Sequence, residues 1–461
     1  MIVILFFIVT VIAIGSYFIF RKRISNPTFI FASGFALQSL IGIFYIKKWQ
    51  LNLHLNTFLV IALGVTEFFL TCVLINFIVK KAQNKKGNEI KNAKLTLIDI
   101  KLWKKLVLIA IIAVIGIIYL KSIYKVVLDT GFESHKFKDV IARYDALLKF
   151  TETGIKIPFI ASNLFLFTTA CGYFFAYVIA NNFLVNKKLD ITNVIIFLIC
   201  IILSTFSGSR TNSIMLLVAL FIDYVVLKEK ANVGKSPLGK KELSIIGIVM
   251  VVLVVTFFSF GKALGRNLDG LNKADYVAEY LGAEVKNLDI FLQTDIAEHR
   301  ADKPWGSQTF FSLVLTFGEK LHLKNYKPYN LDLPQNRVNQ YDLGNVYTTF
   351  YQYIYDFGYI GEVVLVFIMA AISELVYEGI KYDSKNKKII LAIAYSNIAN
   401  CLVFSFFSNK FYENIIAMNF LKNIIFWWVL YLFLVKIDFK RLFDNIKKTL
   451  KKDKKEVKES E

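Results

Sequence analysis

Four consecutive residues in this chain of 461 combine the types that hold anions: Ser207, Gly208, Ser209 and Arg210, a polar tip between two apolar runs. Glycine permits the tight turn. The two serine hydroxyls can donate to a ligand or to the backbone, and a helix is expected to begin directly after Arg210. Free N–H groups at a helix start, beside a guanidinium fork, suit phosphate or carboxylate. The plainer alternative is a helical hairpin whose arginine reaches out to lipid phosphate. Arg143, Arg266, Arg300 and Arg337 occupy polar segments expected on the same side as the tip, so five of the eight arginines gather there. Activation of a hydroxyl needs a base tuned toward neutral pH. His299, next to Arg300 at the end of an amphipathic stretch, is the first candidate, with Asp356 and Glu279 as rivals. No Asp-x-Asp triplet occurs, so the usual metal-held nucleotide-sugar site is not supported, and no metal or cofactor is expected.

The elements that must position these residues are apolar. The chain is 56% hydrophobic with 43 Phe and a mean hydropathy of +0.52, and long apolar runs recur from end to end. That pattern excludes a soluble multidomain protein and predicts an all-α polytopic membrane protein. The net charge of +20 lies in short loops between apolar runs, which excludes a nucleic-acid groove. We read eleven spans, at 2–20, 27–46, 57–79, 105–124, 157–183, 191–206, 211–227, 243–261, 358–379, 389–407 and 414–435. At about 1.5 Å per residue the runs 191–206 and 211–227 cover roughly 25 Å, short of a ~30 Å hydrocarbon core. The tip is therefore expected level with one membrane face or in a recess below it.

The first run is followed, not preceded, by Arg21-Lys22-Arg23, so it reads as a retained span with its N-terminus outside. Alternation from there puts the denser Lys/Arg loops inside, as the positive-inside rule asks, where they also meet anionic lipid headgroups. Residues 1–436 then form a single transmembrane domain with outer segments at about 125–156 and 262–346, and 437–461 is a basic cytoplasmic tail. The first outer segment should carry a short surface helix, and the second an amphipathic helix within 272–298. All four cysteines fall within spans, as core residues. Glu67 and Lys422, charged and at similar depth, are expected to pair. Tyr347 and Tyr351 belong to a tyrosine-rich stretch leading to a bend at Asp356–Gly361. An interfacial aromatic belt explains them, and so do faces on which sugar rings stack.

Three patterns in order resemble the membrane-embedded oligosaccharide repeat-unit polymerases of the O-antigen and capsule (Wzy) type. They are the Ser207-Gly208-Ser209-Arg210 tip, the outer segment with Pro304-Trp305-Gly306-Ser307-Gln308-Thr309-Phe310, and Asn345 followed by Asp356-Phe357-Gly358-Tyr359-Ile360-Gly361. The layout extends over roughly residues 100–436, the motifs over some thirty residues. The resemblance implies a GT-C-like glycosyltransferase with a large extracytoplasmic loop. Such an enzyme moves a glycan from undecaprenyl pyrophosphate onto a new lipid-linked repeat unit at the outer face of the cytoplasmic membrane. Implied partners are that lipid-linked oligosaccharide, a repeat-unit flippase and a chain-length regulator, with no nucleic acid. A ligase of the O-antigen type uses the same donor site. A flippase or transporter is the reading from another class, but transporters show paired repeats and broken helices at mid-membrane. No internal repeat is found here, and the unusual residues gather outside.

Overall fold

A computed structural model describes residues 1–150, 157–234, 239, 244, 247, 255–259, 261, 272–294, 304–327, 329, 331 and 333–438. The described residues form fourteen α-helices and one β-hairpin. In chain order the helices are α1 (Ile2–Ile19), α2 (Pro27–Phe44), α3 (Leu55–Lys85), α4 (Leu102–Leu128), α5 (Phe137–Phe150), α6 (Phe159–Asn186) and α7 (Ile191–Ser204). After them come α8 (Thr211–Ala231), α9 (Lys273–Phe291), α10 (Phe311–Phe317), α11 (Thr349–Lys381), α12 (Ile389–Val403), α13 (Lys410–Asn414) and α14 (Met418–Tyr431). The strands β1 (Asn336–Val338) and β2 (Tyr341–Gly344) pair antiparallel.

Eight of these helices are long and apolar enough to cross a membrane: α1, α2, α3, α4, α6, α8, α11 and α14, the last taken to Lys436. The expected spans at 191–206 and 389–407 are shorter apolar helices, and the expected span at 243–261 lies mostly outside the described residues. Burial runs opposite to that of a water-soluble bundle. Phe7, Val11 and Phe18 on α1 and Leu63, Leu70 and Phe77 on α3 face outward, while Gln38, Ser39, Asn181 and Asn400 are inside. Apolar side chains turned outward and polar ones turned inward fit a bundle whose solvent is lipid.

Two hydrophobic cores divide the molecule. One joins α4 to α8 with α12 and α14, and the other joins α1, α2, α3, α9 and α11. Asn400 on α12 ties α6 to α8, donating to the Met215 carbonyl (2.5 Å) on α8 and the Tyr173 hydroxyl (3.2 Å) on α6. Helix starts follow their caps: Asn26 accepts from Phe29 N (2.8 Å) with Pro27 at the first helical position, and Asp190 accepts from Thr192 N (3.0 Å). α11 bends at Gly358 (φ 70°, ψ −170°), inside the bend expected at Asp356–Gly361. The four cysteines are buried and free.

Polar contacts sort into two ends. Segments expected inside meet one another: Ala93 N donates to the Lys230 carbonyl, Lys94 N to the Ser384 carbonyl, and Lys105 pairs with Asp190. Segments expected outside do the same: Lys48 pairs with Asp275 (2.6 Å), and His54 Nδ1 lies 3.0 Å from Asp289. One expectation fails. Glu67 and Lys422 do not pair, because Lys422 Nζ lies over the Phe159 ring (5.4 Å) while the charged neighbour of Glu67 is Glu362 on α11.

Candidate functional site

The tip is a hairpin closed by its own atoms. Residues Thr205–Ser207 make one tight helical turn, Gly208 takes φ 77°, and Gly208 N donates to the Thr205 carbonyl (3.0 Å). Only a glycine adopts that backbone without strain. Here a side chain would also strike Asp145, whose Cβ lies 2.7 Å from where the new Cβ would be. Ser207 Oγ donates to the Ser204 carbonyl (2.8 Å) and accepts from Asn212 Nδ2 (3.3 Å). Ser209 Oγ accepts from Thr211 N (3.2 Å) at the start of α8. Of the two roles expected for these hydroxyls, donation to a ligand or to the backbone, Ser207 takes the second, while Ser209 Oγ serves as acceptor for the helix start.

Arg210 points away from this turn, toward α9. Its Nη1 donates to the Phe257 carbonyl (3.1 Å), and Nη2 donates to the hydroxyls of Tyr276 (3.0 Å) and Tyr280 (3.4 Å). The guanidinium lies 4.1 Å from the Phe257 ring centroid and 5.8 and 5.5 Å from those of Tyr276 and Tyr280. It is only 5% exposed, and no carboxylate pairs with it among the described residues. Three neutral acceptors and aromatic faces steady a guanidinium through cation–π contact, but none cancels its charge.

The cage has a helical logic. Tyr276, Tyr280 and Glu284 fall at i, i+4 and i+8 on α9, one stripe of the helix. Asn272 caps this helix, accepting from Ala274 N (3.0 Å) and Asp275 N (3.3 Å). Tyr280 also stacks on Phe407 (6.0 Å, 15°), in the turn after α12. Glu284 is fully buried. Burial holds its carboxyl well above the usual range, and Gln38 Nε2 on α2 donates to it (3.4 Å). The amphipathic pattern within 272–298 announces α9 itself, whose buried face holds Ala283, Val285 and Leu288. It does not announce Tyr276, Tyr280 and Glu284 as site residues, because the same spacing serves a core.

The other expected site residues are dispersed. His299, Arg266 and Arg300 lie outside the described residues. Arg143 is exposed on α5, which reaches the tip through Phe137 on Phe206 (5.4 Å) and Asp145 on Gly208. Arg337 is on β1, paired with Asp342 (3.6 Å) at the surface. Glu279 is directed at Gly344 of β2, where an added Cβ would lie 2.9 Å from its Oε1. Asp356 serves the backbone: it accepts from Gln308 N (3.0 Å) and Thr309 N (2.5 Å), pinning the 304–310 turn onto α11. Tyr347 and Tyr351 are buried against each other (4.3 Å), and Phe291 covers Tyr351 (4.3 Å). Tyr347 donates to the Pro334 carbonyl (2.9 Å), and burial raises its hydroxyl to about 12. Neither ring keeps a face open for stacking on a sugar. Exposed aromatic rings near this region are Trp305, 78% accessible and set edge-on to Phe357 (4.8 Å), and Tyr359.

What the described residues assemble is thus one cationic seat, Arg210 with Phe257, Tyr276 and Tyr280, where the α7–α8 tip of one core meets α9 of the other. No protein-family model matches the chain, and comparison with characterised proteins and with solved structures finds no match.

Proposed function

We propose that this protein is a membrane glycosyltransferase that polymerises undecaprenyl-pyrophosphate-linked repeat units at the outer face of the cytoplasmic membrane. In this reading all eleven spans cross, the arrangement is GT-C-like, and the end of the bundle carrying Arg210 is extracytoplasmic. The denser Lys/Arg content of the opposite loops supports that orientation. The observation that carries the proposal is the seat of Arg210: a buried cation, fixed by three neutral acceptors, with no carboxylate partner among the described residues. A buried charge without a partner is costly, and an incoming diphosphate headgroup supplies the missing counter-charge. In a glycosyl transfer from a lipid diphosphate the leaving group departs as an anion, so a preorganised guanidinium favours the transition state as well.

The exposed Arg143, on the helix whose Asp145 packs against Gly208 of the tip, is assigned as a second contact for the same headgroup. Glu279 and His299 are the groups we assign to activating the acceptor hydroxyl. Asp356 we reassign to positioning, since its carboxylate is already held by backbone amides.

Purified protein given a synthetic lipid-pyrophosphate repeat unit, a chelator and no nucleotide sugar should yield a ladder of lengthening products. A single transfer to another lipid would indicate a ligase instead, and movement across the bilayer without new glycosidic bonds would indicate a transporter. Either result rejects the polymerase.

A further inference from the structure

At the end of the bundle opposite Arg210, five charged side chains are buried together. Arg23 (4% exposed) follows α1, Glu229 (4%) ends α8, and Glu374 (0%), Glu378 (1%) and Lys381 (7%) line the last turns of α11. Two cations thus stand against three carboxylates. The mismatch matters because an uncompensated charge in a poorly polarisable interior is expensive, and such sites neutralise themselves.

The hydrogen bonds identify the carboxyl in excess. Glu229 accepts from Ile24 N (2.8 Å), Ser25 N (3.3 Å) and Ser25 Oγ, with Arg23 as its charged neighbour. It is fully provided for as an anion. Glu378 accepts from both Lys381 Nζ and Asn76 Nδ2 on its Oε1, which leaves its Oε2 without a donor. Glu374 is different: neither of its buried oxygens receives a hydrogen bond of good geometry. Its carboxyl lies one helical turn from that of Glu378 and within its reach. A carboxylic acid has one donor, and the bare Oε2 of Glu378 is an acceptor without one. A proton on Glu374, donated to Glu378 Oε2, satisfies both groups and balances the charge.

We propose that Glu374 and Glu378 form a buried acid pair that binds one proton, and that this proton is required to lock the α1–α2 link onto the ends of α8 and α11. The proposal is independent of the transferase reading. The lock itself is visible. Ser25 Oγ contacts the Tyr377 hydroxyl (3.1 Å), Tyr395 on α12 donates to the Ser25 carbonyl, and Ser25 is bound to Glu229. Facing the pair are Arg23 and, at the exposed rim, Arg21 from the α1–α2 link, Thr28 from α2, and Cys72 and Asn76 from α3. Glu229 comes from α8, Tyr377, Lys381 and Tyr382 from α11, and Tyr395 from α12. Lys230 and Asp383, close by, neutralise each other (3.2 Å) and leave the balance unchanged.

The test uses the full-length protein in lipid nanodiscs. The infrared difference spectrum, wild type minus Glu374→Gln, should show the carbonyl stretch of one buried, protonated carboxyl that shifts in D2O. Because the folded state would hold a proton that the unfolded chain releases, wild-type stability should fall as pH rises. The melting temperature should drop by several degrees across that range, while Glu374→Gln, neutral at every pH, should show a flatter profile. Glu378→Gln provides a second variant if the first fails to fold: Glu374 is then free to pair with Lys381 as an anion, and the band should vanish again. A band that persists in the foldable variant, or an unchanged pH slope, overturns the proposal. Stabilisation of the wild type at high pH by sodium or potassium ions also overturns it, since an alkali cation would then be the missing charge.

Discussion

At the scale of single residues the account turns on the difference between an arginine and a point charge. Arg210 reaches a carbonyl and two phenols at once, and only a planar fork does that while keeping N–H groups for a ligand. Arg210→Lys should leave the protein in the membrane and cut polymer formation at least about tenfold, the effect of losing roughly 1.4 kcal/mol of binding. Tyr276→Phe keeps the ring against Phe257 but removes the 3.0 Å bond to the guanidinium. A milder loss of activity with normal expression is expected, and chain-length profiles on gels would show it. Asp356→Asn should act through folding. Removing a charged acceptor from two backbone amides costs about 1.5–3 kcal/mol per strong bond, so the 304–310 turn should become sensitive to limited proteolysis. The Arg210 tip was legible in the sequence because glycine, serine and arginine are informative between two apolar runs. Its partners were not, since Tyr276 and Tyr280 arrive from a helix more than sixty residues away. Tyr347 and Tyr351 misled for a related reason: a tyrosine-rich stretch reveals rings but not that Phe291 and Pro334 cover them.

At the scale of elements, bends and caps decide where side chains arrive. Gly358 sits at φ 70°, ψ −170°, a combination essentially closed to other residues, and lets α11 turn from its buried tyrosines into an apolar span. Gly358→Ala should destabilise by about 1–3 kcal/mol, read as a lower melting temperature, although no neighbouring atom blocks the added methyl. α9 is held to the end of α2 by Lys48 and Asp275. The hydrogen bond from Lys48 holds the Asp275 carboxyl below its usual range, so its contribution is present above the unfolded-state value and lost as pH falls through the lowered folded-state one. Amide protection along α9, relative to the intrinsic rate at each pH, should therefore fall on strong acidification, and Lys48→Met should weaken that pH dependence, leaving the part due to Tyr45. The order of the helices could be read from apolar runs, and α5 and α9 from amphipathic spacing. The failure of Glu67 to meet Lys422 marks the boundary of such reading: depth in the membrane can be counted along a chain, but rotation about a helix axis and the choice of neighbour depend on packing.

For the whole molecule, polar contacts among the described residues sort into two ends. One end carries the Arg210 seat, without a carboxylate partner among the described residues, and the other the charged lock around Glu229, Glu374 and Glu378. Single cysteines placed at Lys48 and at Lys188 should be labelled by an impermeant thiol reagent from opposite sides of intact cells or spheroplasts, the first from outside. The central claim is that the seat formed by Arg210 binds a lipid diphosphate. Its most direct test is the dissociation constant of undecaprenyl pyrophosphate for the purified protein in detergent, wild type against Arg210→Lys, with folding checked by melting temperature. The account predicts binding weakened by about tenfold or more in the variant at an unchanged melting temperature. Equal affinity in the two proteins would contradict it.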